Sequence, residues 1–266
     1  MIKRTPVVPY ILLDTRAPIP FPEAKITIYQ PSIKEIGMTG SESDFLVGLN
    51  ALTRNYQIED KIDLSQMSNF DILMTVIQEK SEASKKVVRT IEQVLYLIFP
   101  NCNIVFTPRS IILQEHISDT EKVVHMIDSS NFDKFNQILY DMFCLIEFSG
   151  EGQDDYNPGG DRARAIIAQI QRGKDIRAKL RKERGEEDNA MDSVYCRYID
   201  ILAIGLQMDK NILSGYSVFQ LMEKFKRFQL KEAFDYTFQA KMAGATKIKD
   251  AKDWMGPIKF GEKQDE

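Results

Sequence analysis

The sequence predicts an α+β fold in which helices predominate. We expect a small antiparallel sheet with helices in an N-terminal domain, followed by an all-helical C-terminal domain. Two observations support this prediction. Short alternating segments rich in β-branched residues cluster between residues 102 and 127. Elsewhere apolar residues recur at helical spacing, most clearly within 216–254, where they are Phe219, Leu221, Met222, Phe225, Phe228, Leu230, Phe234 and Phe238.

The first segment, residues 1–24, is rich in proline. Its prolines are Pro6, Pro9, Pro18, Pro20 and Pro22. Because proline fixes φ and lacks an N–H donor, we expect an extended arm with at most a short edge strand over 7–14. Such an arm would lie on the body of the protein or reach a neighbouring molecule.

The N-terminal domain is predicted to span residues 25–148. Residues 25–30 alternate as a short strand does. Ser32 followed by Glu35 is a capping-box pattern, in which each side chain bonds the backbone N–H of the other residue, so a helix is expected over 33–38. Apolar periodicity predicts three more helices, over 44–54, 69–77 and 84–99.

The predicted sheet follows these helices. Its strands are expected at 102–106, 110–114 and 123–127, and residues 25–30 are a candidate for a further strand. An amphipathic helix is predicted over 131–148.

A domain boundary is predicted at 149–160, SGEGQDDYNPGG, because glycine, proline and acidic residues disfavour a packed element. The helical domain would span 161–258, with helices over 161–184 and 191–208. Two helices fit 216–254 better than one, because Ser217 can cap the start and Gly244 lies where a helix could stop. Residues 259–266 are expected to form a disordered tail.

Composition limits the classes of protein that fit. The 266 residues are 43% hydrophobic with a net charge of −4, which suits a globular core and disfavours general attraction to nucleic acid or membrane. Three separated cysteines, Cys102, Cys144 and Cys196, are typical of a reducing compartment. The apolar run near the N-terminus is too short and too interrupted for a signal peptide. We therefore expect a cytoplasmic protein without a membrane-spanning segment.

The sequence offers little catalytic chemistry. His116 and His125 have only Glu115, Asp119 and Glu121 nearby as candidate co-ligands, so surface or loop histidines are favoured over a metal site. No G-x-S-x-G turn is present, and Cys144 lies on an apolar helical face, where a buried thiol is favoured over a nucleophile.

Two further patterns are candidates for ligand sites. The glycines of 159–160 match neither phosphate-binding pattern, so a linker is the better interpretation. The aspartates of 154–161 lack EF-hand spacing. We therefore expect no enzyme activity, no metal and no cofactor.

The predicted helix 161–184 is strongly basic, with nine Lys or Arg against three Asp or Glu. A solvated helix is the simplest interpretation. Contact with an acidic protein is the next, and nucleic-acid binding is disfavoured because no aromatic residues are interleaved for stacking. If it binds a partner, the contacting residues would be Arg162, Arg164, Arg172, Lys174, Arg177, Lys179, Arg181, Lys182 and Arg184.

The aromatic stripe from Phe219 to Phe238 is expected to be core, with a docking face for another helix as the alternative. Trp254, the only tryptophan, is either a core plug or an exposed anchor. With Met255 it completes the candidate partner-binding residues.

Two segments resemble a known family. KITIYQPSIKEIG at 25–37 resembles the strand-then-helix opening of tail and baseplate assembly proteins of tailed bacteriophages. YSVFQLMEKFKRF at 216–228 and QAKMAGATKIKDAKDWMGPI at 239–258 resemble their C-terminal helical pair, which ends in Asp-Trp. The glycine and serine run after Gly37 departs from an uninterrupted second helix.

The resemblance implies a non-enzymatic assembly factor in the host cytoplasm. It would act as a tail assembly chaperone by binding a tape-measure or baseplate component. A permanent baseplate or connector subunit within the virion is the first alternative, and a nucleic-acid-binding regulator acting through 161–184 is the second. A homo-oligomer is compatible with each.

Overall fold

The computed structural model describes residues 6–53, 68–79, 81–116, 122–145, 193–245, 253–256 and 258. As predicted, these residues form an α+β fold that is mainly helical. Small antiparallel sheets and helices occupy the N-terminal part, and helices form the C-terminal part. No helix among the described residues is both long enough and apolar enough to cross a membrane.

The N-terminal arm is less extended than predicted. A short helix, α1 (Tyr10–Asp14), occupies the place where an edge strand was allowed, and the first strand, β1 (Ile19–Phe21), follows it. Pro9 stands at the N-cap of α1. A proline beside a helix start costs little because the first N–H groups of a helix have no intrahelical partner. Proline content therefore gave the wrong conformation for this segment.

The second strand, β2 (Ile26–Ile28), pairs with β1 and not with the larger sheet, which corrects the prediction of a shared sheet. The pairing is antiparallel, with Ile19 opposite Ile28. Lys25 adopts a φ of 55° in the turn between the strands. This left-handed conformation lets the chain reverse direction within a short connection, so β2 pairs with the strand directly before it in the sequence.

Four helices follow: α2 (Ile33–Thr39), α3 (Glu42–Thr53), α4 (Asn69–Gln78) and α5 (Glu82–Ile98). All four lie where helices were predicted, and the predicted capping box of Ser32 and Glu35 opens α2. Helices α3 and α5 pack closely at Gly48, where an added Cβ would lie 2.2 Å from the carbonyl oxygen of Thr90.

The larger sheet has three antiparallel strands in the order β3 (Cys102–Thr107), β4 (Ser110–His116) and β5 (Lys122–Ile127), as predicted. Helix α6 (Phe132–Met142) then ends earlier than the predicted limit at residue 148. Cys144 adopts a φ of 52°, which is incompatible with a continuing α-helix.

Three helices form the described C-terminal part: α7 (Val194–Leu206), α8 (Lys210–Ser214) and α9 (Val218–Met242). The short α8 was not predicted. Helix α9 starts after Ser217, and Gly244 follows its end with a φ of 92°, as expected for a stop signal. The second helix predicted after Gly244 falls mainly in 246–252, outside the described residues, and residues 253–256 form a turn.

The C-terminal helices pack on the N-terminal elements. One cluster of buried apolar residues includes side chains from both parts, among them Phe45, Phe135 and Phe219. The N–H of Ile33 donates to the carbonyl of Tyr216 at 2.9 Å, so α2 and α9 start side by side. The predicted linker 149–160 and basic helix 161–184 lie outside the described residues.

Candidate interaction surface on the C-terminal helix

Helix α9 is anchored through its first turns. A capping box joins Ser217 and Gln220: the Ser217 N–H donates to Gln220 Oε1 at 2.9 Å, and the Gln220 N–H donates to Ser217 Oγ at 3.2 Å. Within the helix, Val218, Phe219, Leu221 and Glu223 are buried. The start of α9 is therefore part of the core, as the stripe was predicted to be.

A polar cluster fixes this buried end to the N-terminal arm. The Tyr10 hydroxyl donates to Glu223 Oε1 at 2.9 Å, and the Tyr10 ring meets the Phe219 ring edge-on at 5.4 Å between centroids. Arg227 Nε donates to the same carboxylate oxygen of Glu223. Burial, followed by the bond to Glu223, raises the pKa of Tyr10, so its phenol stays protonated and donates. The buried Glu223 carboxylate is thus compensated from two sides.

Arg227 also holds the C-terminal turn. Its Nη1 donates to the carbonyl of Trp254 at 3.1 Å and to that of Gly256 at 3.4 Å. Residues 253–256 consequently lie beside the middle of α9, roughly 20 Å before its end at 1.5 Å per residue. Trp254 is half-buried there, between the two predicted alternatives of core plug and exposed anchor, whereas Met255 is exposed.

The second half of α9 exposes its apolar residues. Phe234, Phe238 and Met242 are spaced four residues apart and share one face, with 57% of Phe238 and 75% of Met242 accessible. Tyr236 is exposed on another side of the helix. Since large apolar side chains grouped on one surface mark interaction sites in soluble proteins, we define Phe234, Phe238 and Met242 as the distal face.

The distal face continues the buried face of the same helix. Phe219 and Glu223 lie about one turn apart on the side that packs on α1, and Phe234 lies about three turns beyond Glu223 on nearly the same side of the helix. Beside this face, Lys231 pairs with Asp235 at 2.6 Å. The three side chains of the distal face are themselves uncharged, and an apolar face of this kind suits another helix better than a charged ligand.

The basic candidates fall outside the described residues. They are Arg162, Arg164, Arg172, Lys174, Arg177, Lys179, Arg181, Lys182 and Arg184. Their role in partner binding stays a prediction.

The cysteines and the histidine that were candidates for catalysis or metal binding are packed in ways that favour a structural role. Burial raises the pKa of the Cys102 thiol to about 11 and also raises that of Cys144, which keeps both thiols protonated and weakly nucleophilic. His125 is buried on β5, so the expectation of a surface or loop histidine is wrong for this residue. Its Nδ1 lies 3.1 Å from the Ala24 carbonyl and its Nε2 lies 3.1 Å from Glu115. Within the described ranges, no group of three or more His, Cys, Asp or Glu residues is arranged to hold a metal.

One polar cluster was missed from the sequence. Arg16, whose φ is 55°, donates from Nε to the Gln30 carbonyl at 2.7 Å, from Nη1 to the Gly215 carbonyl at 3.2 Å, and from Nη2 to Glu35. It therefore joins the arm, α2 and the loop before α9. The capping residue Glu35 was visible in the sequence, but nothing there indicated that Arg16, distant along the chain, is its partner.

Part of the chain matches a known protein family. Residues 198–259 match the family model described as YomV second domain, a phage-derived family. The matched segment contains α9, the distal face and the turn held by Arg227. Comparisons with curated proteins and with solved structures each found no match.

Proposed function

We propose that this protein is a non-enzymatic virion assembly factor of a tailed bacteriophage. In this proposal it works in the host cytoplasm as a tail assembly chaperone. It binds a helical tail component, such as a tape-measure or baseplate protein, through the distal face of α9. The observation that carries the proposal is the exposed apolar run of Phe234, Phe238 and Met242 within the segment that matches a phage-derived domain.

The physical argument concerns the long apolar helices of a client. Such helices aggregate when their faces are left open to water, and an apolar helix face can cover them transiently. The rigid first half of α9 holds the distal face in place, because its capping box and the Tyr10–Glu223–Arg227 cluster fix the helix to the body. A fixed face loses less conformational entropy on binding than a mobile one.

Co-expression tests the binding step. The long helical tail protein encoded in the same phage genome is expressed with the wild-type chain or with the F234A/F238A variant. We expect the wild type to keep the tail protein soluble and to co-purify with it, and the variant to lose both effects. M38A is the matched control, because Met38 is an exposed apolar residue on a different helix, α2.

Purified virions test the chaperone role itself. Mass spectrometry of mature particles should find this chain absent or far below stoichiometric levels. Stoichiometric retention would instead favour the alternative of a permanent baseplate or connector subunit. Loss of co-purification with M38A as well as F234A/F238A would count against the distal face as the binding site.

A further inference from the structure

The edge strand β3 carries backbone groups that have no hydrogen-bond partner within the part of the chain that the structure describes. The closing pair of the β3–β4 hairpin is Thr107 with Ser110, across the two-residue turn Pro108-Arg109. In such a hairpin the closing pair is hydrogen-bonded and the pairs alternate along the ladder. Residues 103, 105 and 107 therefore bond to β4, and residues 102, 104 and 106 direct their N–H and C=O groups away from the sheet.

Two observations support this assignment. The N–H of Cys102 donates outside the sheet, to the carbonyl of Phe99 at 3.1 Å. At the other edge of the sheet, Asn131 Nδ2 donates to the carbonyl of Met126 at 3.0 Å, as the same alternation requires for an outward-facing residue of β5. The C=O of Cys102 and both backbone groups of Ile104 and Phe106 have no hydrogen-bond partner among the described residues.

Two other strand edges are protected. On β5, the Asn131 side chain occupies the outer edge by bonding both the Met126 carbonyl and the Asp128 N–H, the latter at 3.0 Å. On β1, Pro20 has no backbone N–H that could donate to a further strand. Strand β3 has neither a proline nor a charged residue, although these are the usual devices that keep an edge from pairing with another chain.

One row of side chains on the exposed face of the sheet is apolar up to this edge. The strand register aligns Val105, Ile112 and Met126 in one row across β3, β4 and β5. Val105 at the edge is 37% accessible and Met126 is exposed. A strand added to β3 would extend the row and cover the exposed flank of Val105.

We propose that the β3 edge binds the β3 edge of a second copy of this chain, which makes a six-stranded antiparallel sheet. With the two-fold axis at Val105, Ile104 of each copy lies opposite Phe106 of the other. Each of these pairs exchanges two N–H···O bonds. Val105 then faces Val105 of the second copy, and the two apolar rows join.

The electrostatics are compatible with this occupant. A charged residue on β3 would lie close to its own copy across a two-fold axis and repel it. The strand Cys-Asn-Ile-Val-Phe-Thr carries no charge, so it is compatible with itself. Two six-residue strands bury less area than the roughly 1,200 Å² of a stable complex, so the dimer is weak and depends on concentration.

Sedimentation velocity of the full chain over a concentration series tests the proposal. The wild type should pass reversibly from monomer to dimer. V105K should weaken association by about tenfold, because two lysines meet at the axis and the valine pair is lost. V124K is the matched control: Val124 is 61% accessible on the same sheet face but lies on β5, so its dissociation constant should stay at the wild-type value.

A charge-swap mixture makes the test independent of folding defects. V105K and V105E should each be mainly monomeric alone and should associate when mixed, because opposite charges then meet at the axis. A wild type that stays monomeric throughout the series overturns the proposal, whether or not the edge binds an extended peptide. So does V124K weakening association as much as V105K. F234A/F238A should dimerise normally, so this proposal and the proposed function fail separately.

Discussion

Single half-buried polar residues join the arm to the C-terminal helices. Arg16 bonds carbonyls from two distant segments and the carboxylate of Glu35, which also caps α2 through Ser32. Burial of Glu35 opposes ionisation, but the bonds from Ser32 and the charge of Arg16 outweigh it, so the pKa of Glu35 lies below its ordinary value.

The direction of this pKa shift sets a pH dependence. Because the folded-state pKa is depressed, Glu35 contributes stability above its ordinary pKa of about 4.3, and the contribution is lost as pH falls through the lower folded value. E35Q keeps the capping geometry and removes the charge, so we expect it to lose about 1 kcal/mol or less at pH 7. Urea unfolding at pH 7 and below the folded pKa should show the difference shrinking in acid. An equal difference at both pH values would contradict the assignment.

Gly48 tests the close packing of α3 on α5. An added Cβ would lie 2.2 Å from the Thr90 carbonyl, so G48A must separate the helices and should cost roughly 1–3 kcal/mol. Gly37 in α2 is the matched control, because no atom lies within 4 Å of a Cβ built there. G37A should be neutral or stabilising by up to about 1 kcal/mol, since alanine favours a helix. Thermal unfolding of both variants checks the pair, and equal melting temperatures would refute the packing argument.

At the scale of elements, α9 divides into a buried half and an exposed half. The sequence predicted one apolar stripe from Phe219 to Phe238 and could not locate the point where the stripe leaves the core. That point depends on how far α1 and α7 reach along α9, which is a property of tertiary packing. The first half of the stripe is core, and the second half is exposed, as the docking interpretation requires.

This division predicts that replacing phenylalanine by alanine has different effects on stability in the two halves of α9. F219A removes a buried ring that packs on Tyr10 and should cost about 3–5 kcal/mol. F238A removes an exposed ring and should change stability by no more than about 0.5 kcal/mol. Denaturant unfolding of the two variants measures both values. A large loss in F238A would mean that its ring is covered in solution.

Local signals in the sequence identified most elements. Capping patterns at Ser32 and Ser217, apolar periodicity and alternating strands predicted α2 to α7, α9 and the larger sheet. Helix α1 was missed because proline also precedes helices, and β2 was assigned to the wrong sheet because strand partners are not encoded in a strand's own residues. The contacts of Arg16 and Arg227 join segments far apart in the chain, so no local pattern could predict them.

At the scale of the whole molecule, the described N-terminal and C-terminal elements share a core. Besides the buried apolar cluster, the N–H of Val194 at the start of α7 donates to Glu42 of α3 at 3.0 Å, and Gln220 Nε2 donates to the carbonyl of Asp14 at 2.5 Å. These contacts couple the stability of the two parts, although a long segment separates them in the sequence.

Coupled parts should unfold together. Trp254, the only tryptophan, reports on the turn held by Arg227, whereas far-ultraviolet circular dichroism reports on the whole chain. We expect the two probes to give coincident thermal transitions. A tryptophan transition at clearly lower temperature would show that the C-terminal helices unfold independently.

We propose above all that the distal face of α9 binds a phage tail or baseplate component. Photo-crosslinking in infected cells tests it most directly, with benzoylphenylalanine placed at Phe238 and, as a control, at Tyr96, an exposed aromatic residue of α5. We expect a crosslink to a tail or baseplate protein from position 238 and none from position 96. No crosslink from position 238, or the same product from both positions, would contradict it.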